Sequence, residues 1–81
     1  MSKYAVIIEH AESNYAAYVP DLPGCIATGV NPEETEREIC DAIEFHLEGM
    51  RLVGEQIPEP TTLCRYVYVE APVEQTAPSA R

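Results

Sequence analysis

A long amphipathic helix is the feature of this sequence that most restricts its fold. Asn31 is a favourable N-cap, Pro32 suits the first helical position, and Glu34 stands three residues after Asn31, as in a capping box. The apolar periodicity continues to about Val53, and Gly54 is a typical C-terminal stop. Because a chain of 81 residues can build only one small core, this helix is expected to cover one face of one sheet.

Four segments have the β-branched and aromatic composition of strands. They are Tyr4–Glu9, Tyr15–Val19, Cys25–Val30 and Leu63–Glu70. Short turns separate the first three, which predicts an antiparallel meander, and the helix is expected to return the chain so that the last strand lies parallel to the first. The sequence therefore predicts an α+β fold of the order β-β-β-α-β over residues 1–70, with the helix on one sheet face. Residues 71–81 are expected to form a disordered tail.

One face of the predicted sheet has no helix to cover it. The first strand places Tyr4, Val6 and Ile8 on one side and Ala5 and Ile7 on the other, so both faces are apolar. Since an open apolar face on a small domain usually marks an interface, we expect the chain to self-associate.

The chain is strongly acidic, with five basic and fourteen acidic residues and a net charge of −9. The basic residues are scattered along the sequence, so the charge disfavours nucleic acid and anionic lipid and favours a basic partner. No apolar run is long enough for a membrane span, and the N-terminus has no signal-peptide core. We therefore expect a cytoplasmic protein.

The sequence contains no recognisable catalytic, metal or nucleotide motif. His46 falls within the apolar stripe of the helix, where a structural role is expected, and no serine or histidine has the neighbours of a hydrolase triad. Cys25, Cys40 and Cys64 are odd in number and widely spaced, which predicts reduced, buried core residues and no metal site. No cofactor is expected.

The outer side of the helix is the best candidate for a contact surface. It is acidic with two embedded apolar residues, although a solvated face is an equally acceptable interpretation. The loop after the second predicted strand could add to the surface. The predicted partner-binding residues are Asp21, Leu22, Glu34, Glu38, Asp41, Phe45, Glu48 and Leu52.

The order of several motifs resembles that of the HicB antitoxin family of HicA–HicB toxin–antitoxin systems. The similar features are the loop Pro20–Cys25, Gly29, the helix opening at Glu33, the helix segment Asp41–Gly49 and the crossover Gly54–Pro60. The resemblance spans roughly Tyr4 to Glu70. It implies a partial RNase H-like fold and a protein without catalysis of its own. It also implies a homodimer or tetramer that neutralises a small basic RNA-cleaving toxin, HicA.

Two features bear on the expected function: the first is shared with the family, and the second is a departure from it. The interior of the first strand holds Val6, Ile7 and Ile8, where RNase H enzymes carry carboxylates, so nuclease activity is not expected. Many family members continue into a DNA-binding module, whereas about eleven residues follow the last predicted strand here, so no DNA binding by this chain alone is expected. Two alternatives stay open: an orphan self-associating interaction domain, and a small enzyme that uses His46 or His10.

Overall fold

The computed structural model describes residues 2–72, which form a three-stranded antiparallel sheet and one helix. The strands and the helix are β1 (Ile7–His10), β2 (Tyr15–Tyr18), β3 (Ile26–Gly29) and α1 (Pro32–Val53). The strands lie in the order β1-β2-β3, so the predicted α+β class and the antiparallel meander are confirmed. Residues 73–81 of the predicted tail lie outside the described residues.

Both ends of α1 are capped by the residues expected from the sequence. The Glu34 N–H donates to Asn31 Oδ1 at 2.7 Å, which satisfies one of the unpaired amides of the first turn. The Glu34 carboxylate accepts from the Val30 N–H at 2.8 Å, one residue further back than a capping box requires. Gly54 has a φ of +80°, and its N–H donates to the Arg51 carbonyl. The predicted helix boundaries are therefore confirmed.

The core lies between α1 and the sheet. Register pairs Ile8 with Ala17 and Ala17 with Ala27, so one row of small and apolar side chains faces the helix across all three strands. Ala42, Ile43 and Leu47 of α1 pack against this core. The buried residues are Ala17, Val19, Leu22, Cys25, Thr35 and Ile39.

The helix is much longer than the strands that it covers. At about 1.5 Å per residue its 22 residues extend about 33 Å, whereas strands of four residues extend about 13 Å. The C-terminal turns therefore extend beyond the sheet. His46 and Met50 of the predicted apolar stripe are only partly buried, and Val53 is exposed.

The predicted fourth strand, Leu63–Glu70, is not part of the sheet in the described chain, and this prediction is corrected. No backbone hydrogen bond joins the segment to another described residue, and the side chains of Tyr66 and Tyr68 are fully exposed. A cleft of about 350 Å³ separates Leu63–Tyr66 from Val6–Ile8. The composition of the segment favours an extended backbone, but a strand also needs a hydrogen-bonded neighbour, which local sequence cannot specify.

The prediction of three buried cysteines is correct only for Cys25. Cys40 is exposed because it lies about 100° around α1 from the buried Ile39, at the flank of the core-facing stripe. Cys64 is exposed because it belongs to the unpaired segment after the crossover.

Candidate partner-binding surfaces

Six predicted contact residues form one continuous stripe on α1. With about 100° per residue, their positions fall within a sector of about 80° on the side of the helix away from the sheet. Phe45 and Leu52 are the apolar members, with 82% and 69% of their surface exposed. We call this surface the outer stripe, and it consists of Glu34, Glu38, Asp41, Phe45, Glu48 and Leu52.

The four carboxylates of the outer stripe differ in the hydrogen bonds and ion pairs that they form. Glu34 caps the helix through Val30, and Glu48 forms an ion pair with Arg51, which lowers the pKa of the Glu48 carboxyl. Glu38 and Asp41 form no hydrogen bond or ion pair with the described residues. Glu38 and Asp41 are therefore the two carboxylates of the stripe whose charge is not engaged by a described residue.

Asp21 has a structural role in this fold. Its Oδ2 accepts from the Thr61 and Thr62 amides at 2.9 and 3.0 Å, and its Oδ1 accepts from both threonine hydroxyls. The backbone and side-chain hydrogen bonds from Thr62 are the main reason that the pKa of Asp21 lies below its ordinary value of 3.8. We call these four bonds the Asp21 clamp, because they hold the crossover after α1 against the loop after β2.

Leu22 leaves no side-chain surface for a partner. Only 1% of its surface is exposed, because the loop folds back so that the Leu22 N–H donates to Val19 and its carbonyl accepts from Cys25. Both loop residues were predicted as contacts, but Leu22 is a core residue and Asp21 accepts the hydrogen bonds of the Asp21 clamp.

An acidic-rimmed groove beside α1 was not predicted from the sequence. It has a volume of about 560 Å³, and Tyr4 and Val6 of the N-terminal segment form one wall. Ile39, Ile43 and Leu47 supply apolar surface from the helix. The groove exists because α1 packs mainly on β3 and β2 and leaves β1 partly uncovered. Its remaining lining residues are Ser2, Glu36, Cys40 and Glu44.

The sheet face away from α1 is open, as predicted. Register places Ile7, Tyr18 and Ile26 side by side across the three strands. Ile26 is 69% exposed and Tyr18 is also exposed, so the row presents apolar surface to solvent. The signal for this row was the alternation of apolar residues on both faces of the predicted strands.

Comparison with known proteins identifies the family. A family model described as HicB-like antitoxin of bacterial toxin–antitoxin systems matches residues 4–75, which is most of the chain. The chain belongs to this HicB-like antitoxin family.

Two curated relatives have less specific descriptions. An uncharacterized 14.9 kDa protein of Haemophilus phage HP1 is 34% identical over 64 residues, which cover 79% of this chain and 48% of that protein. A UPF0150 protein of Helicobacter pylori is 46% identical over 41 residues, which cover 51% of this chain and 57% of that protein. The chain thus spans about half the length of the curated relatives it matches. No solved structure matches it.

Membership of a HicB-like antitoxin family favours a non-catalytic role, and the two histidines lie on different elements. His10 stacks on its cross-strand partner Tyr15 with ring centroids 4.5 Å apart, and His46 lies partly buried on α1. Within residues 2–72, no group of three or more His, Cys, Asp or Glu side chains is arranged to hold a metal ion. No helix in this part of the chain is long and apolar enough to cross a bilayer.

Proposed function

We propose that this HicB-like chain is an antitoxin that binds a small, basic HicA-type RNA-cleaving toxin and neutralises it without chemistry of its own. The observation that carries the proposal is the outer stripe, which combines acidic side chains with two exposed apolar residues in a protein of net charge −9. Family membership supplies the toxin as the class of partner.

The charge distribution supports binding to a protein that itself binds RNA. Helix α1 carries seven carboxylates and two arginines, and one of these, Arg51, is paired with Glu48. A toxin that holds RNA must present cations to phosphates, so the same cations are attracted to an acidic helix. Opposite charge raises the association rate and selects the partner. The toxin's RNA-binding surface is then occupied by the antitoxin.

The apolar members of the outer stripe would supply affinity. Aromatic side chains are over-represented among the few residues that dominate interface energies. Phe45 is the only phenylalanine in the chain, and its ring is exposed between Asp41 and Glu48 on the same face of α1. We assign Phe45 as the central contact, with Leu52 two turns further along. The chain would act in the cytoplasm as a homodimer or homotetramer.

Co-expression with the small basic protein encoded beside its gene tests this function. We expect that protein to arrest growth alone and this chain to restore growth and co-purify with it. The double variant Glu38→Lys/Asp41→Lys should lose rescue, and Phe45→Ala should weaken the complex. The matched control is Glu9→Lys/Glu12→Lys, which changes the same charge at exposed positions of the hairpin. A stripe variant that rescues as well as the wild type would contradict the assigned surface.

The open sheet face favours a second candidate, an orphan interaction domain that only self-associates. The observation behind it is the row of Ile7, Tyr18 and Ile26, in which Tyr18 and Ile26 are exposed. This candidate is supported if the neighbouring gene encodes no basic protein, or if that protein is neither toxic nor bound.

A further inference from the structure

The segment Leu63–Glu70 has the composition of a buried strand but no partner among the described residues. Its apolar side chains are exposed on both faces of an extended backbone. A soluble protein that leaves an extended, β-branched and aromatic segment unpaired has a template for pairing with another chain. The segment could therefore form a strand if it met a free sheet edge.

The sheet of the same protein offers such an edge. β1 pairs with β2 on one side, and its other side forms no backbone hydrogen bond with the described residues. The groove between α1 and the N-terminal segment is lined by Tyr4 and Val6, which lie just before this strand and are only partly buried. A strand added beside β1 would pair the edge and cover the groove at the same time.

The segment forms no backbone hydrogen bond with its own β1 in this structure, and the chain is held just before the segment begins. The Asp21 clamp fixes Thr61 and Thr62, and the Tyr4 hydroxyl donates to the Pro58 carbonyl. Pro58 and Pro60 restrict the crossover that leads to the clamp. From this held start the segment runs past Val6–Ile8 across the cleft, without closing it.

We propose that Leu63–Glu70 of one copy adds as a strand to the free edge of β1 in a second copy. In the same dimer, Leu63–Glu70 of the second copy adds to β1 of the first. The occupant of the edge and groove is thus a second copy of this chain. Reciprocal exchange of one identical element closes with two-fold symmetry and leaves no segment unpaired. The proposal goes beyond the antitoxin function and does not depend on it.

The side chains of the segment match the groove in polarity and charge. Strand alternation puts Leu63, Arg65, Val67 and Val69 on one face. The valines and Leu63 suit the apolar lining of the groove. Arg65 is the one cation of the segment, and the groove carries the carboxylates of Glu36 and Glu44. The opposite face of the segment, with Tyr66 and Tyr68, would extend the open sheet face.

Sedimentation equilibrium of the full chain tests the exchange. We expect a dimer whose dissociation constant rises at least tenfold in Val67→Lys/Val69→Lys, and also in a chain that ends after Thr62. Val30→Lys is the matched control, because Val30 is 74% exposed, close to the 77% of Val67, but lies outside the segment. The helix content by circular dichroism should be unchanged in all, since the substituted side chains are exposed. A monomeric wild type, or a dimer that survives both changes to the segment, would overturn the proposal.

Isotope-mixed cross-linking separates exchange from pairing within one chain. Lys3 is the only lysine in the sequence and precedes β1. Tyr68→Cys in a Cys40→Ser/Cys64→Ser background gives a reactive thiol on the segment, to be joined to Lys3 by a thiol–amine cross-linker. In a refolded mixture of ¹⁴N and ¹⁵N chains, exchange predicts cross-linked peptides that combine both isotopes. Cross-links found only between peptides of the same isotope would show that the segment pairs with its own β1, and would refute the exchange.

Discussion

The backbone of Gly29, at the end of β3, lies directly against Thr35 in the first turn of α1. A β-carbon at residue 29 would be 2.5 Å from Thr35 Oγ1 and 2.7 Å from the Thr35 backbone nitrogen. Thr35 is fully buried, and its hydroxyl donates to the Asn31 carbonyl at 2.8 Å. The first turn of α1 can therefore pack directly against the end of β3 because residue 29 has no side chain.

Gly29→Ala should destabilise the fold by about 1–3 kcal/mol, because the added methyl group meets helix backbone that cannot rotate away. Urea unfolding followed by circular dichroism measures the change. Gly49→Ala is the matched control, since nothing lies within 4 Å of a β-carbon there, and it should stabilise α1 by up to about 1 kcal/mol. Equal stability of the two variants would contradict the close packing at Gly29.

The Asp21 clamp should open in acid. Because hydrogen bonds lower the pKa of folded Asp21 below the ordinary 3.8, their contribution to stability is fully present above pH 3.8. It is lost as the pH falls through the lowered, folded-state pKa. Hydrogen exchange of the Thr61 and Thr62 amides should accelerate, relative to that expected for a free amide, over this range. Asp21→Asn should show the faster exchange already at neutral pH, while exchange in β2 stays slow.

Leu22 and Leu52 should behave in opposite ways although both were predicted as contacts. Leu22→Ala should cost about 2–5 kcal/mol of unfolding free energy, because it empties a buried position. Leu52→Ala should change stability by no more than about 0.5 kcal/mol, because the side chain is exposed. Toxin binding at a temperature where both variants are folded should be weakened only by Leu52→Ala. Loss of binding in folded Leu22→Ala would restore the loop as a contact.

The N-cap of α1 can be tested in isolation. Asn31→Ala should reduce stability by about 0.5–2 kcal/mol, because the Glu34 amide loses its acceptor. Asn31→Asp keeps an acceptor and adds a charge that favours the helix N-terminus, so it should restore the loss. Thermal unfolding of the three proteins at neutral pH gives the comparison. A stable Asn31→Ala variant would mean that solvent replaces the cap without cost.

Elements with local signals could be predicted from the sequence, and elements whose position depends on distant partners could not. Asn31 and Gly54 indicate the ends of α1 because each favours the backbone conformation of a helix cap. In the sequence, Leu22 lies in a loop between two prolines, which suggests an exposed position. It is buried because the loop folds over residues that are distant in the chain, and local sequence does not specify this contact. The same limit applies to Leu63–Glu70, whose composition predicts an extended backbone but cannot specify a hydrogen-bonded neighbour.

The outer stripe was predictable because its residues are related by helical periodicity alone. The groove was not, since it depends on where α1 lies across the sheet. Glu36, Cys40 and Glu44 follow one another at intervals of four residues beside the apolar stripe, and this flanking row was the available signal. The clamp at Asp21 had no signal at all, because its threonines are 40 residues away.

The long sequence separation of these contacts also affects the order in which parts of the chain are expected to fold. The hairpin and α1 arise from neighbours in sequence, whereas the bonds from Thr61 to Asp21 and from Tyr4 to Pro58 join residues 40 and 54 positions apart. Contacts over such distances are disfavoured early in folding, since closing a long flexible loop costs entropy before any bond repays it. We therefore expect the clamp to form late in folding. Until it forms, the chain after α1 has no fixed direction, so under the proposed exchange each copy would fold its own sheet and helix before Leu63–Glu70 could reach another copy.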